Sequence, residues 1–89
     1  MTTLFVRHTA ADYPAWRRAY DAFQPKARTF GAQADTVYQT ADNPNEITVT
    51  HDFATLEAAQ AFAGSPELRS AMHDAGVVGA PTTWFAQRA

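Results

Sequence analysis

Cysteine is absent from the 89 residues, which removes disulfides, thiolate metal sites and thiol nucleophiles together. A basic excess is lacking as well, since seven Lys and Arg against nine Asp and Glu leave a formal charge of -2. Neutralising phosphates requires the opposite balance, so neither nucleic acid nor an anionic membrane surface is expected as a partner. No segment approaches the ~20 apolar residues of a membrane span. The opening MTTLFVRHT holds too short an apolar run for a signal-peptide core, and a cytoplasmic protein is expected. Phosphate-binding glycine loops, a G-x-S-x-G elbow and histidines at H-x-H or H-x-x-x-H spacing are missing, which argues against nucleotide chemistry, triad hydrolysis and a bound metal.

What is present is the make-up of an ordinary folded protein, 46% apolar and 18% charged, of a size for one small domain over residues 1–89. Residues 3–9 (TLFVRHT) are β-branched and aromatic and read as a strand. Asp12 follows as an N-cap, with Pro14 in the first helical turn. Trp16, Ala19, Tyr20 and Phe23 recur at three- and four-residue spacing and give that helix one apolar face. Pro25 is expected to end or kink it near Gln24, with a last turn up to Phe30 before Gly31.

Residues 34–40 and 46–53 read as a hairpin around the turn-forming ADNPNE. A helix opened by Thr55 or Ala54 and closed by Gly64, and a second segment capped by Ser65, with Leu68, Ala71, Met72 and Ala75 as its core face, precede a stop at Gly76. In the stretch GVVGAP, Gly76, Gly79 and Pro81 are expected to turn the chain. TTWFAQ (82–87) is then the last strand.

The order β, α, β, β, α, β predicts an α+β, ferredoxin-like βαββαβ domain with a four-stranded antiparallel sheet, spatial order 4-1-3-2 and both helical segments on one face. The other face would carry Tyr38, one of Trp84 or Phe85, and one of Phe5 or Val6, too apolar for water. A homodimer packing sheet against sheet is the economical cover.

The stretches VRHTAADYPAW (6–16), TADNPNEITV (40–49) and SPELRSAMHDAGVVGAP (65–81) resemble the dimeric α/β-barrel proteins, near the antibiotic-biosynthesis monooxygenases and the cyclase-like proteins. That resemblance implies two sheets paired into a barrel whose pocket takes a small hydrophobic or aromatic ligand. It also implies cofactor-free oxidation or cyclisation of an aromatic or enolic substrate. The haem-degrading branch places an asparagine, a tryptophan and a histidine where this chain has His8, Phe62 and Met72, with His73 one residue, ~100° on a helix, out of step. Haem is not expected.

The expected catalytic residues are Arg7, His8 and His73. Arg7, from the bare face, or a neighbouring histidine is to hold an oxyanion, and a pocket histidine or tyrosine is to take the proton near neutral pH. Tyr38, Thr48, Thr50 and Trp84 are the expected ligand-binding set, a mixed polar and aromatic lining. Alternation puts Leu4, Val6 and His8 on one face and Phe5 and Arg7 on the other, with His51 beside Ile47 and Val49 as a core-edge histidine satisfied by a backbone group. Each also has a plainer reading: His73 as a half-exposed helix-end residue, and Arg7 as a dimer-interface salt bridge to Asp52 or Asp35. A non-catalytic, homodimeric binding or stress-related module stands beside the enzyme. A continuous space of ~300 Å3 with convergent polar groups would favour the enzyme.

Overall fold

Alternation of apolar and polar side chains becomes alternation of faces in the computed structural model, which describes residues 1–89. Four antiparallel strands, β1 (Thr2–Ala10), β2 (Ala34–Thr40), β3 (Asn43–Phe53) and β4 (Val77–Gln87), form one sheet in the order β2-β3-β1-β4. This is the expected order, read from the other edge. β1 and β3 are central, and their register sets Leu4 opposite His51, Val6 opposite Val49 and His8 opposite Ile47. All six side chains share the face beneath the helices, where each is buried. Phe5, Arg7, Thr48 and Thr50 alternate with them onto the open face.

Helices α1 (Tyr13–Thr29), α2 (Leu56–Ala63) and α3 (Pro66–Asp74) cover one side of the sheet. The side chains of Asp12 and Ser65, the expected caps, and of Thr55, the first of two expected starts, accept from the backbone N–H groups of Ala15, Leu68 and Ala58 respectively. Such caps each stabilise by about 1 kcal/mol. Asn45 on β3 accepts from the Tyr13 backbone N–H at 3.1 Å and fixes where α1 begins on the sheet. Gly31 and Gly76 take φ values of 102° and 81° where the chain leaves α1 and α3, a conformation that costs other residues strain.

At Pro25 the helix does not end, and α1 runs to Thr29 with Phe30 as its C-cap, the continuation expected before Gly31. Proline removes only the bond its own N–H would make to Asp21, and Phe23 and Ala27, packed into the core on either side of it, hold the helix in register. GVVGAP is not mere turn material, because β4 already pairs at Val77 and Val78 with Ala10 and Thr9. The register then slips, with Val78 to Thr82 matched by Thr9 to Arg7, and Gly79 at φ 74° takes up the extra chain. Pro81 is tolerated because β4 is an edge strand.

The core divides in two. Leu4, Val6, Ala27, Phe53, Ala59 and Phe62 form one cluster, and Ala10, Trp16, Tyr20, Ile47, Val49 and Ala75 form the other. Phe53 and Phe62 are fully buried, each contributing about 1.5–3 kcal/mol by leaving water. The seam between the clusters is where the packing opens.

Candidate functional site

A cavity of about 50 Å3 lies in that seam, between the helix face of the sheet and the inner sides of α1, α2 and α3. Val6 and Val49, directly opposed on β1 and β3, make its floor. Trp16, Tyr20 and Phe23 line it from α1, Phe62 from α2, and Leu68 and Met72 from α3. Ala19, Ala71 and Ala75 also line it, and their short side chains leave the space that larger residues would fill. No lysine, arginine, aspartate or glutamate reaches the lining.

His8 and His51 stand at opposite ends of the floor. Four residues along the strands and one strand across separate them, about 14 Å between Cα atoms. They are 7% and 4% exposed, and none of their four ring nitrogens has a hydrogen-bond partner. His51 therefore lacks the expected backbone partner. Its ring lies 5.3 Å from Phe62 and 6.1 Å from Tyr20, and the His8 ring lies 5.6 Å from Trp16. Trp16 and Tyr20 stack at 4.9 Å to complete an aromatic wall along α1.

Burial lowers the pKa of both imidazoles from the ordinary 6.5, so both are neutral at neutral pH. They differ in what opposes it. Asp35, directly across from His51 on β2, and Asp52 both favour the charged form of His51, whereas no carboxylate acts on His8. The Tyr20 hydroxyl donates to the Asp35 carboxylate, and burial together with that bond raises the phenol well above its usual range. Tyr20 therefore stays protonated and ties α1 to β2.

The expected site residues are split between two faces and a helix exterior. Arg7, Tyr38, Thr48, Thr50 and Trp84 share the open face, where Tyr38, Thr48 and Arg7 lie in one row across three strands. Thr50 and Phe5 continue to Trp84 in the next row. Phe5 and Trp84 stack in parallel at 5.2 Å. Within the protomer Arg7 donates from Nε and Nη2 to Glu46 at 3.0 and 2.8 Å. Asp52 accepts from Thr3, and Asp35 points to the helix side toward Tyr20. Of the expected catalytic residues only His8 lines the cavity; His73 is exposed on α3, while its neighbour Met72 faces inward. His51, Trp16 and Tyr20 were not expected there. The available signal was two histidines falling on the buried set of two adjacent strands.

Neither a family model nor a curated protein matches the chain. Solved structures do. An antibiotic biosynthesis monooxygenase superposes with a TM-score of 0.75 at 10% identity, over 100% of this chain and 99% of its own. A protein from Caulobacter crescentus CB15, provisionally given the same name, matches at 0.77 with 12% identity, over 99% and 89% of the two chains. A protein of unknown function from Nitrosomonas europaea matches at 0.74 with 21% identity, over 96% and 85%. The chain thus has, end to end, the ferredoxin-like fold of the antibiotic biosynthesis monooxygenase-like proteins.

Proposed function

We propose that the cavity beneath the helices is the active site of a monooxygenase-like or cyclase-like enzyme, acting without a cofactor on a small aromatic or enolic substrate. The observation that carries this reading is the pair of buried imidazoles, without hydrogen-bond partners, among the lining residues of a cavity whose remaining lining is apolar but for Gln24. Leaving such a group unsatisfied costs about 1–3 kcal/mol, and a domain selected for stability alone would hold apolar residues there. His51 is the base. Once it takes a hydroxyl proton, its positive charge sits across the strand from Asp35, an arrangement His8 lacks.

Loss of that proton leaves an electron-rich phenolate or enolate in a dry site. A phenol with a free ring position can then react with O2 to give a quinone and water. One oxygen atom enters the ring, and the other leaves as water with two substrate hydrogens, so the substrate itself supplies the electrons. In the cyclase-like variant the same enolate carbon attacks a carbonyl of its own chain. The chemistry lies inside each protomer, not between two sheets.

The open face serves the second part of the proposal, a homodimer packed sheet to sheet. Tyr38 is 56% exposed, as is 41% of Trp84 beside the Phe5 ring, and a twofold partner would cover them. Sedimentation at micromolar concentration checks this part, and a stable monomer there removes it.

A binding module without turnover remains the second reading, favoured by the small cavity, since about 50 Å3 is well under the ~300 Å3 of most ligand sites. Oxygen uptake with single-ring phenols, quinols and small enols separates the two. The enzyme predicts uptake that falls at least ~100-fold in His51→Phe. Absence of uptake with every compound, while binding persists, gives the site to the module.

A further inference from the structure

Resting on that reading, we propose that Tyr20 and Asp35 are the positioning residues of His51: the Tyr20 hydroxyl clamps the Asp35 carboxylate on the helix side of the sheet, where its charge serves the base as counter-ion. Tyr20 then does more than wall the cavity. It decides whether an exposed carboxylate on an edge strand faces the protein or the water.

Register sets the geometry. Asp35 and His51 are direct antiparallel partners on β2 and β3, so their Cα atoms are about 4.5–5.5 Å apart and both side chains leave the same face of the sheet. Proximity alone does not fix the carboxylate. β2 is an edge strand and Asp35 is exposed, so an unrestrained carboxylate gains hydration by turning outward. Turned outward it counts for less, because water weakens a charge about fourfold more than the surroundings at a protein surface do.

Tyr20 takes that freedom away. Its hydroxyl donates to Asp35 Oδ2, and a hydrogen bond to a charged acceptor is stronger than one between neutral groups. The donor is itself held in place. Tyr20 is 9% exposed, its ring stacks on Trp16 at 4.9 Å with the Arg17 guanidinium 5.4 Å from its centre, and its carbonyl accepts from Gln24 Nε2 at 3.3 Å. A buried ring on α1 thus anchors an exposed acid on β2.

The other groups packed about His51 leave the role to Asp35. β1 presents Leu4 and α2 presents Phe62, neither of them charged, and α3 brings only Leu68, Ala71 and Met72 to the same cavity. Asp52, next to His51 on β3, turns to the open face and accepts from Thr3 at 2.6 Å. Arg17, over the Tyr20 ring, is paired with Asp21 at 3.1 Å. Burial lowers the pKa of His51, with Asp35 first and Asp52 second in opposing it, and neither acts on His8. His8, on the same face of the sheet, is therefore a built-in control.

NMR titration of the two histidine rings between about pH 8 and about pH 4 tests the clamp in the unaltered protein, Tyr20→Phe, Asp35→Asn and the double variant. Each single variant is expected to weaken proton binding by His51 at least about threefold. The double variant should go no further than Asp35→Asn, because the hydroxyl acts only through the carboxylate, and His8 should not move. Phenylalanine keeps the ring and its stack on Trp16, so a merely structural Tyr20 predicts no change. His51 unmoved by either substitution, or binding its proton more tightly in Tyr20→Phe, overturns the inference, as does a double variant in which the two losses add. Should Tyr20→Phe fail to fold, salt decides: the difference between the unaltered protein and Asp35→Asn survives about 0.5 M NaCl if the carboxylate is clamped, and vanishes if it stands in water. With a phenol that is oxidised, Tyr20→Phe should lower kcat, keep KM and move the acid limb of the rate together with the His51 titration. Oxygen uptake that depends on His51 but ignores Tyr20 and Asp35 would leave the enzyme reading standing and remove only this one; the stated His51 shifts in a protein without uptake would do the reverse.

Discussion

Arg7 and His8 are adjacent on β1 and project to opposite faces of the sheet, and their surroundings could hardly differ more. On the open face Arg7 keeps half its side chain in water and makes two hydrogen bonds to Glu46. Beneath the helices His8 is 7% exposed and makes none, and His51 repeats the pattern one strand away. The open face compensates its charge and leaves its aromatics uncovered; the helix face covers its aromatics and leaves its polar groups uncompensated. Each face is thus incomplete in a different currency, apolar area on one side and hydrogen bonds on the other. The proposed dimer would answer the first deficit, and a ligand of the proposed site would answer the second.

The largest test of this contrast removes the aromatic closure of the helix face. Phe62 is fully buried and its ring packs against those of Phe23, Phe30, His51 and Phe53. Phe62→Ala should cost about 3–5 kcal/mol in urea unfolding, the range for a buried phenylalanine that leaves a void. Trp84→Ala on the open face should cost far less in the isolated protomer, since 41% of that residue is already exposed. Equal costs would mean that the two faces are equally well packed and would dissolve the distinction.

Acid gives the next largest effect. Burial lowers the pKa of His8 and His51 below 6.5 in the folded protein, against the charges of Asp35 and Asp52 for His51. The unfolded chain then takes up protons first as pH falls. Stability is complete above pH ~6.5 and is lost from there down to each folded pKa, with a slope of no more than about 1.4 kcal/mol per pH unit for each imidazole. Urea midpoints between pH 7.5 and 5 measure this, and the double variant His8→Phe, His51→Phe should flatten the curve. His8→Phe alone should raise stability at pH 7.5 by about 1–3 kcal/mol, because it removes an unsatisfied polar group from a place its neighbour Trp16 already makes aromatic. A loss of stability would mean that His8 has a partner, such as an ordered water, that carries structural weight.

How much of this was legible in the chain follows from the range of the forces involved. Face assignments on β1 and β3 were readable because a strand's period of two is local: Leu4, Val6 and His8 had to share a side, as did Ile47, Val49 and His51. Caps at Asp12, Thr55 and Ser65 and stops at Gly31 and Gly76 were readable for the same reason. Where long-range pairing overrides local preference, the reading failed: Gly79 and Pro81 look like a turn, yet β1 holds them in β4. At Pro25, where both a stop and a continuation were readable, helix packing carries α1 onward. The cavity itself is the least local feature, made where two core clusters fail to meet, and it moved the centre of interest from Arg7 and Trp84 to His51 and Tyr20. Strand alternation and register put Tyr38, Thr48, Thr50 and Trp84 on the open face together with Arg7.

The smallest expected effect lies in the Arg7–Glu46 pair. In a free protomer both side chains are substantially exposed, 50% and 31%, and such pairs contribute roughly 0–1 kcal/mol. A double-mutant cycle of Arg7→Ala and Glu46→Ala at nanomolar concentration should return a coupling within that range, weakened further by salt. Raising the concentration is what makes the experiment informative. If a second copy covers the open face, the pair passes from water into an interface, where removing one partner strands the other charge and the single variants lose several-fold more dimer than the double variant. The coupling must then grow with protein concentration while the helix face, with His8 and His51, stays indifferent to it. A coupling that is small and constant across that range would mean that the open face stays in water.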